Sequence, residues 1–156
     1  MDLYVFDIDG VLADSSHRFR TMPCGTRIDL DYWRANSTPE KIMQDAVLPA
    51  ADIYRKAIAR GEHVVIATAR VMTDACYAWI ETHLGMPDLI ISRPAESTES
   101  GAVMKARGVC RVANWVQPEN AFIYEDNEKY LRSIESALKP IVSNVEANFI
   151  KSNQGF

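Results

Sequence analysis

The residues of this sequence best suited to chemistry are two aspartates, Asp7 and Asp9, which follow the apolar run Leu3–Phe6. Such a run is typical of a buried β-strand, and Gly10 then allows the backbone to turn. Alternate side chains of an extended strand point the same way, so the two carboxylates could converge on one metal ion or one phosphoryl group. An acidic turn that merely closes a strand is the alternative interpretation of this pair.

Further polar residues stand after later apolar runs, and they are Thr68 with Arg70, Lys105, and Glu125 with Asp126. Each lies after a predicted strand or in the helix that follows one, and open α/β sheets bind ligands at that edge. Carboxylates can crowd around a phosphate dianion only if cations such as Mg²⁺ and a lysine offset their repulsion. Singly, each residue has a structural alternative: threonine often ends a strand, a lysine on a helix is usually solvated, and an Asp-Asn pair can cap a helix.

The hydrophobic pattern alternates between short apolar runs and longer helical periods, which predicts a parallel sheet with helices on both faces. Predicted strands cover residues 3–6, 63–68, 88–92 and 121–124, with a short edge strand suggested at 140–142. Predicted helices cover residues 50–60, 73–84, 102–116 and 128–138. The sequence therefore predicts the α/β class with a three-layer α/β/α, Rossmann-like architecture. The tail 144–156 carries little signal beyond Phe149-Ile150.

The stretch 14–45 has no strong period and separates the first strand from the next core helix, so we expect a small cap-like insertion over the site. Arg18 and Arg20 could place a guanidinium fork against a substrate phosphate, although Arg20 fits a solvated surface loop better. Trp33 could stack on a base or close the core under a loop. His17 could orient Arg18, contact the substrate or simply pack.

Length and composition limit the class of protein. The chain has 156 residues, 47% of them hydrophobic, which fits one globular domain over 1–156 with a real core. A net charge of −4 lacks the basic footprint of a protein that grips long nucleic acid. An odd number of scattered cysteines favours reduced thiols in a cytoplasmic setting. No apolar run approaches the roughly 20 residues of a membrane span, we expect no signal peptide, and no protein partner is evident.

The segment Asp-Ile-Asp-Gly-Val-Leu that begins at Asp7 resembles the first motif of the haloacid dehalogenase (HAD) superfamily, most of whose members are phosphatases. The resemblance implies an HAD-like parallel sheet. It also implies that Asp7 is the nucleophile that accepts the phosphoryl group as an aspartyl-phosphate. Asp9 would be the general acid that protonates the leaving alcohol and later activates water.

The later residues match the remaining motifs of the same superfamily. Thr68 would hydrogen-bond a phosphate oxygen, and Lys105 would neutralise the aspartyl-phosphate and keep Asp7 ionised. Asp126 would complete an oxygen-rich Mg²⁺ site with the Asp7 carboxylate and the backbone carbonyl of Asp9, the second aspartate of the first motif. Glu125 could bind the metal directly or through water.

A narrower resemblance is to the 3′-phosphatase domain of phage polynucleotide kinases and their stand-alone relatives, over roughly residues 2–138. The segments that carry it are His17-Arg18, Trp33, Thr68-x-Arg70, Ile91-Ser92-Arg93-Pro94, Val103-Met104-Lys105 and Tyr124-Glu125-Asp126. That family removes 3′-terminal phosphates from DNA or RNA with Mg²⁺. The resemblance therefore implies that Arg18 and Arg70 contact the substrate phosphate or the active site.

The chain departs from this family's pattern in two places. Gly101 stands four residues ahead of Lys105, where an acid is usual, and Ser97 and Ala102 also replace expected acids. The last motif reads Glu-Asp-Asn, ending at Asn127, instead of Asp-Asp-Arg. These departures leave the support of the lysine and the identity of the substrate open. The chain has no GxxxxGK[ST] loop, so we expect no kinase activity.

The sequence as a whole predicts a Mg²⁺-dependent phosphomonoesterase that acts on a phosphorylated nucleotide or on the 3′ end of a nucleic acid. A (deoxy)ribonucleotidase that acts on free mononucleotides is the alternative enzyme. A non-catalytic HAD-like binding module is the alternative from another class, suggested by Gly101 and the missing acids of its loop.

Overall fold

Four of the predicted apolar runs and one further strand form a five-stranded sheet in the computed structural model, which describes residues 1–154. The strands are β1 (Leu3–Phe6), β2 (Ala13–Asp14), β3 (Ala46–Val47), β4 (His63–Ala67), β5 (Leu89–Ile91), β6 (Asn120–Glu125) and β7 (Asn144–Phe149). The helices are α1 (Leu30–Ala35), α2 (Pro39–Ile42), α3 (Ala50–Ala59), α4 (Asp74–His83), α5 (Gly101–Val116) and α6 (Glu128–Leu138). The central sheet has the order β5-β4-β1-β6-β7, and all its pairs are parallel. The predicted α/β class and parallel sheet are confirmed.

The two faces of the sheet bury different sets of alternate residues. Phe6 packs against the aromatic ring of Tyr54 from α3, with ring centroids 5.3 Å apart, and Trp79 of α4 belongs to the same cluster. On the opposite face, Val5 belongs to a second cluster with Val109 of α5 and with residues of α6. A period of two along β1 thus supplies both cores, which gives the three-layer arrangement. No helix of the described residues is both long and apolar enough to cross a membrane.

Register between the strands brings the site together. Phe6 at the end of β1 pairs with Ile66 of β4 on one side and with Tyr124 of β6 on the other. The carboxyl ends of these three central strands therefore lie side by side. Asp7 follows one of them directly, and the residues after β4 and β6 are its neighbours.

The last strand corrects one prediction. The suggested edge strand at 140–142 is wrong, because there the chain turns, with the backbone N–H groups of Ile141 and Val142 both donating to the Leu138 carbonyl. The strand that closes this edge of the sheet is β7, which pairs with β6 from Asn144 to Phe149. For the other predicted strands and helices, each end agrees with the structure to within one residue.

The insertion between β1 and α3 carries its own small structure. It holds a short 3₁₀ turn at Ser16–Arg18, followed by α1 and α2. The short strands β2 and β3 pair in the antiparallel sense, with Ala13 opposite Val47, so the two ends of the insertion meet beside the end of β1. This small antiparallel sheet is the base of a cap next to the candidate site.

Candidate active site

A buried lysine joins the carboxylates at the ends of β1 and β6. The Lys105 ammonium, from the second turn of α5, lies 3.1 Å from Asp7 Oδ1 and 2.8 Å from Glu125 Oε2. The lysine side chain is 1% exposed, so its charge has little access to water and depends on these partners. Burial alone would lower the pKa of Lys105, but the Asp7 and Glu125 charges outweigh it and raise that pKa. Lys105 is therefore charged at neutral pH.

Three carboxylates form a compact group at the same edge. One oxygen from each of Asp7, Glu125 and Asp126 lies within 4.8 Å of the others. Among the described residues, Asp126 Oδ2 is a buried side-chain atom without a hydrogen-bond partner. Oxygen donors in a cluster are the ligands that Mg²⁺ prefers, and an unsatisfied buried oxygen is costly unless a cation binds it. The residues present thus fit a Mg²⁺ ion.

Gly10 makes room for this carboxylate group. A Cβ atom at this position would lie 2.1 Å from Asp126 Oδ2 and 2.4 Å from Ser152 Oγ. Its φ of +81° is also in the left-handed region, which glycine adopts most readily. A glycine directly after Asp9 therefore allows the end of β1 to approach Asp126 closely.

Burial and mutual repulsion raise the pKa values of the Asp7 and Asp126 carboxyls. Burial raises the pKa of Asp7 well above its ordinary value, with the Glu125 charge adding to the effect and Lys105 opposing it. Burial, then the Asp7 charge, raises the pKa of Asp126 to about 7. A bound divalent cation would favour the ionised forms and reverse these shifts.

Asp9 has different surroundings from Asp7. Arg70 Nη2 donates to Asp9 Oδ1 at 2.5 Å, and Ser15 Oγ donates to the same oxygen at 2.6 Å. Burial alone would raise the pKa of Asp9, but the Arg70 charge and the two hydrogen bonds lower it below its ordinary value. The two aspartates of the first motif thus differ in pKa. Asp7, beside Lys105, has a raised pKa, and Asp9, beside Arg70, has a lowered one.

The guanidinium of Arg18 binds residues of the cap. Its guanidinium donates from Nε and Nη2 to the two Asp45 oxygens, both at 2.9 Å, and from Nη1 to Ser37. The residue is fully buried and stacks on Trp33, with its Cζ 4.4 Å from the ring centroid. These contacts engage all three guanidinium nitrogens. A direct contact of Arg18 with a substrate phosphate stays a prediction.

Asp45 connects the cap to the first motif. Besides binding Arg18, its carboxylate lies 3.6 Å from Arg70 Nη2 and 2.8 Å from His17 Nε2. Arg70 therefore bridges two carboxylates, Asp9 and Asp45. Sequence reasoning did not single out Asp45, because nothing in the irregular stretch around it distinguishes this acid from a solvated one.

Thr68 follows β4 and is buried beside the end of β1. Its Oγ1 accepts a hydrogen bond from the backbone N–H of Arg70 at 3.1 Å. Arg93, after the neighbouring strand, donates to the carbonyls of Ala69 and Glu99 at 2.9 and 2.6 Å. Arg93 thereby ties the loop that carries Thr68 to the loop that leads into α5.

The end of the described chain also reaches the site. Gln154 Nε2 donates to Ser15 Oγ at 2.6 Å, and Ser15 in turn donates to Asp9. The Ser152 Oγ lies beside Gly10, close to the same Cβ position as Asp126 Oδ2. The tail, which carries little sequence signal, thus reaches residues beside the Asp9 and Asp126 carboxylates.

The fold is that of solved hydrolases of the HAD superfamily, as the first motif indicated. A haloacid dehalogenase-like hydrolase from Streptococcus pneumoniae, SP0104, superimposes with a TM-score of 0.59 at 12% identity, over 94% of this chain and 93% of that one. An HAD-superfamily hydrolase from Ehrlichia chaffeensis gives 0.54 at 12% identity, over 97% and 91%. A chain of the Pnkp1/Rnl/Hen1 complex gives 0.57 at 14% identity, over 95% of this chain but 46% of that one.

The family follows from the sequence match. The model of the bacteriophage T5 5′-deoxynucleotidase family matches residues 1–93, more than half of the chain, and the chain belongs to that family. The matched part contains Asp7, Asp9, Thr68 and Arg70. A comparison with curated proteins found no match.

Proposed function

We propose that the protein is a Mg²⁺-dependent phosphomonoesterase that hydrolyses deoxynucleoside 5′-monophosphates through an aspartyl-phosphate on Asp7. The observation that carries the proposal is the buried Lys105, which bridges Asp7 and Glu125 beside the partnerless Asp126 oxygen. This arrangement supplies a nucleophile, a fixed positive charge and metal ligands within one small volume. Membership of a family named for a 5′-deoxynucleotidase supports the choice of substrate.

In the first half of the reaction, an Asp7 oxygen attacks phosphorus and the bond from phosphorus to the 5′ oxygen breaks. The leaving 5′ oxygen takes a proton from Asp9, which the approach of a phosphate dianion would help to protonate by raising its pKa. Lys105 offsets the charge of Asp7 and of the phosphoryl oxygens, so that the two anions can meet.

In the second half, a water molecule gives a proton to Asp9 and attacks phosphorus. The bond between phosphorus and the Asp7 oxygen then breaks, which releases inorganic phosphate and restores the free carboxylate. The Arg70 and Ser15 contacts hold Asp9 as an anion in the free protein, which is the form that accepts a proton from water.

Asp7, Asp126 and the Asp9 carbonyl are the groups that would hold Mg²⁺. When bound, the ion would neutralise phosphate charge and orient the phosphoryl group. Glu125 has a different part in this proposal. Its Oε1 accepts from the backbone N–H groups of Asp126 and Asn127, both at 3.2 Å, and its Oε2 accepts from Lys105. Since both oxygens are occupied, Glu125 orients the lysine and the Asp126 backbone.

The second candidate substrate is a 3′-phosphorylated nucleic-acid end. The resemblance of the motifs and the fold shared with a chain of the Pnkp1/Rnl/Hen1 complex favour it. The net charge of −4 and the commitment of Arg18 to Asp45 favour a small substrate over a polynucleotide. The intact set of Asp7, Lys105 and Asp126 favours turnover over a non-catalytic binding role.

The test is phosphate release from a panel of phosphomonoesters, with and without Mg²⁺. The panel contains deoxynucleoside and ribonucleoside 5′-monophosphates, 3′-mononucleotides, 3′-phosphorylated DNA and RNA oligonucleotides, and a sugar phosphate. We expect the highest kcat/KM on deoxynucleoside 5′-monophosphates, and no release by the Asp7→Asn variant. A preference for oligonucleotide 3′ ends would overturn the substrate assignment, whereas release that persists in Asp7→Asn would overturn the mechanism.

A further inference from the structure

The side-chain space of Gly101, at the start of α5, is filled by a residue from another helix. A Cβ atom on Gly101 would lie 2.8 Å from Tyr130 Oη and 2.9 Å from Tyr130 Cζ. Tyr130 belongs to α6, which packs along α5. The glycine at the start of α5 therefore makes room for the tyrosine ring.

The same ring lies over the buried lysine. Lys105 Nζ is 4.6 Å from the centroid of the Tyr130 ring, while its carboxylate contacts are to Asp7 and Glu125. An ammonium over an aromatic face is attracted by the negative charge density of the ring, most strongly where water is excluded. The ring thus supplies a further attractive contact to an ammonium group that is almost wholly buried.

We propose that Tyr130 is a positioning residue that holds Lys105 against Asp7. The inference rests on the proposed function, in which Lys105 must meet both the nucleophile and the phosphoryl group. An acid at position 101 would add a carboxylate to a site that already holds Asp7, Asp9, Glu125 and Asp126. The aromatic ring supports the ammonium without adding negative charge that would repel a phosphate dianion.

Asn127 supports the same contact from the start of α6. Its side chain accepts a hydrogen bond from the Tyr130 backbone N–H at 3.1 Å. This is the cap that begins α6 directly after Asp126. Asn127 and Gly101 are thus structurally linked, because Asn127 begins the helix that carries Tyr130 and Gly101 leaves space for its ring.

The experiment compares Tyr130→Ala, which removes the ring, with Tyr130→Phe, which removes only the hydroxyl. Lys129→Ala, at the exposed neighbouring position of α6, is the matched control. Turnover of a deoxynucleoside 5′-monophosphate with Mg²⁺ is measured alongside Tm. We expect kcat to fall about tenfold or more in Tyr130→Ala with a smaller change in KM, and Tyr130→Phe to keep most of the wild-type kcat.

A double-mutant cycle with Gly101→Ala tests the contact itself. Alone, Gly101→Ala should lower kcat, because its methyl group displaces the Tyr130 ring from Lys105. In the Tyr130→Ala background the same change should cost little further, because the clash is gone, so the two effects should not add. The acid at this position, Gly101→Asp, should lower kcat more than Gly101→Ala because it adds charge as well as bulk.

Active wild-type protein with an equally active Tyr130→Ala variant would overturn the inference and leave the proposed function standing. Equal losses in Tyr130→Phe and Tyr130→Ala would also overturn it, because the hydroxyl and not the ring would then matter. Additive effects of the changes at Gly101 and Tyr130 would do the same. Wild-type protein that is inert towards every phosphomonoester would instead overturn the proposed function on which the inference rests.

Discussion

Lys105 and Asp7, which are 98 residues apart in the chain, are joined by a buried hydrogen bond of 3.1 Å. Lys105→Met keeps much of the side-chain volume but removes the charge that offsets Asp7 and the incoming phosphate. We expect kcat to fall by about 100-fold or more, the size of effect seen when one electrostatic stabiliser is removed from an active site. Steady-state kinetics at saturating Mg²⁺ measure it, with exposed Lys129→Met as the control; a loss of less than about tenfold in Lys105→Met would contradict the assignment.

Gly10→Ala should abolish the response to Mg²⁺, because the added methyl group would lie 2.1 Å from Asp126 Oδ2. Gly61→Ala is a close control, since Gly61 has a similar φ of +74° but no atom within 4 Å of the added Cβ position. The control should therefore lose only about 1–2 kcal/mol of stability from backbone strain. Isothermal titration with Mg²⁺ compares the two variants. Wild-type affinity in Gly10→Ala would show that Asp126 is not a ligand.

Mg²⁺ should stabilise the protein more at high pH than at low pH. Burial and the Asp7 charge raise the pKa of Asp126 from its ordinary 3.8 to about 7. Between these two values the metal-free folded protein binds more protons than the unfolded chain, so this group makes stability fall as pH rises through that window. Mg²⁺ competes with the proton, so its effect on Tm should be larger at about pH 8 than at about pH 5.5.

The control for this pH dependence is Asp126→Asn, which removes the titrating carboxylate and a metal ligand together. Its Tm should respond weakly to Mg²⁺ at both pH values. A Mg²⁺-induced rise in Tm of the same size at both pH values in wild-type protein would contradict the role of the Asp126 proton.

Asp45→Asn should destabilise the fold, because the buried Arg18 would lose the anion that accepts from two of its nitrogens. Removing one partner of a buried ion pair costs about 3–5 kcal/mol, and the free energy of unfolding should fall by about that amount. Asp52→Asn is the matched control, since Asp52 is exposed and pairs with exposed Arg55. Urea unfolding measures both; similar small changes in the two variants would show that the Asp45 network contributes little.

Much of the candidate site was predictable from the sequence because strand order and motif order agree. Once β1, β4 and β6 are parallel neighbours, the residues that follow them must share one edge, and Asp7, Thr68 and Asp126 follow them. The approach of Lys105 to Asp7 followed from the superfamily resemblance. A lysine on an amphipathic helix would otherwise have been interpreted as solvated.

Other contacts carried no local signal. The Asp45 carboxylate contacts residues distant in sequence, His17, Arg18 and Arg70. The place of Tyr130 over Lys105 depends on how α5 and α6 pack. The strand β7 does have a weak sequence signal, since apolar Val145 and Ala147 alternate with polar Asn144, Glu146 and Asn148, but the run is short. Contacts set by tertiary packing are the part that sequence patterns do not supply.

Trapping the phosphorylated enzyme tests the central claim most directly. Wild-type protein is mixed with a deoxynucleoside 5′-monophosphate labelled in its phosphate and with Mg²⁺, quenched in acid, and examined for label on the chain. We predict an acid-stable, hydroxylamine-labile label on the peptide that contains Asp7, absent from Asp7→Asn and from samples without Mg²⁺. Turnover by wild-type protein with no label on that peptide, or with equal label in Asp7→Asn, would contradict the account.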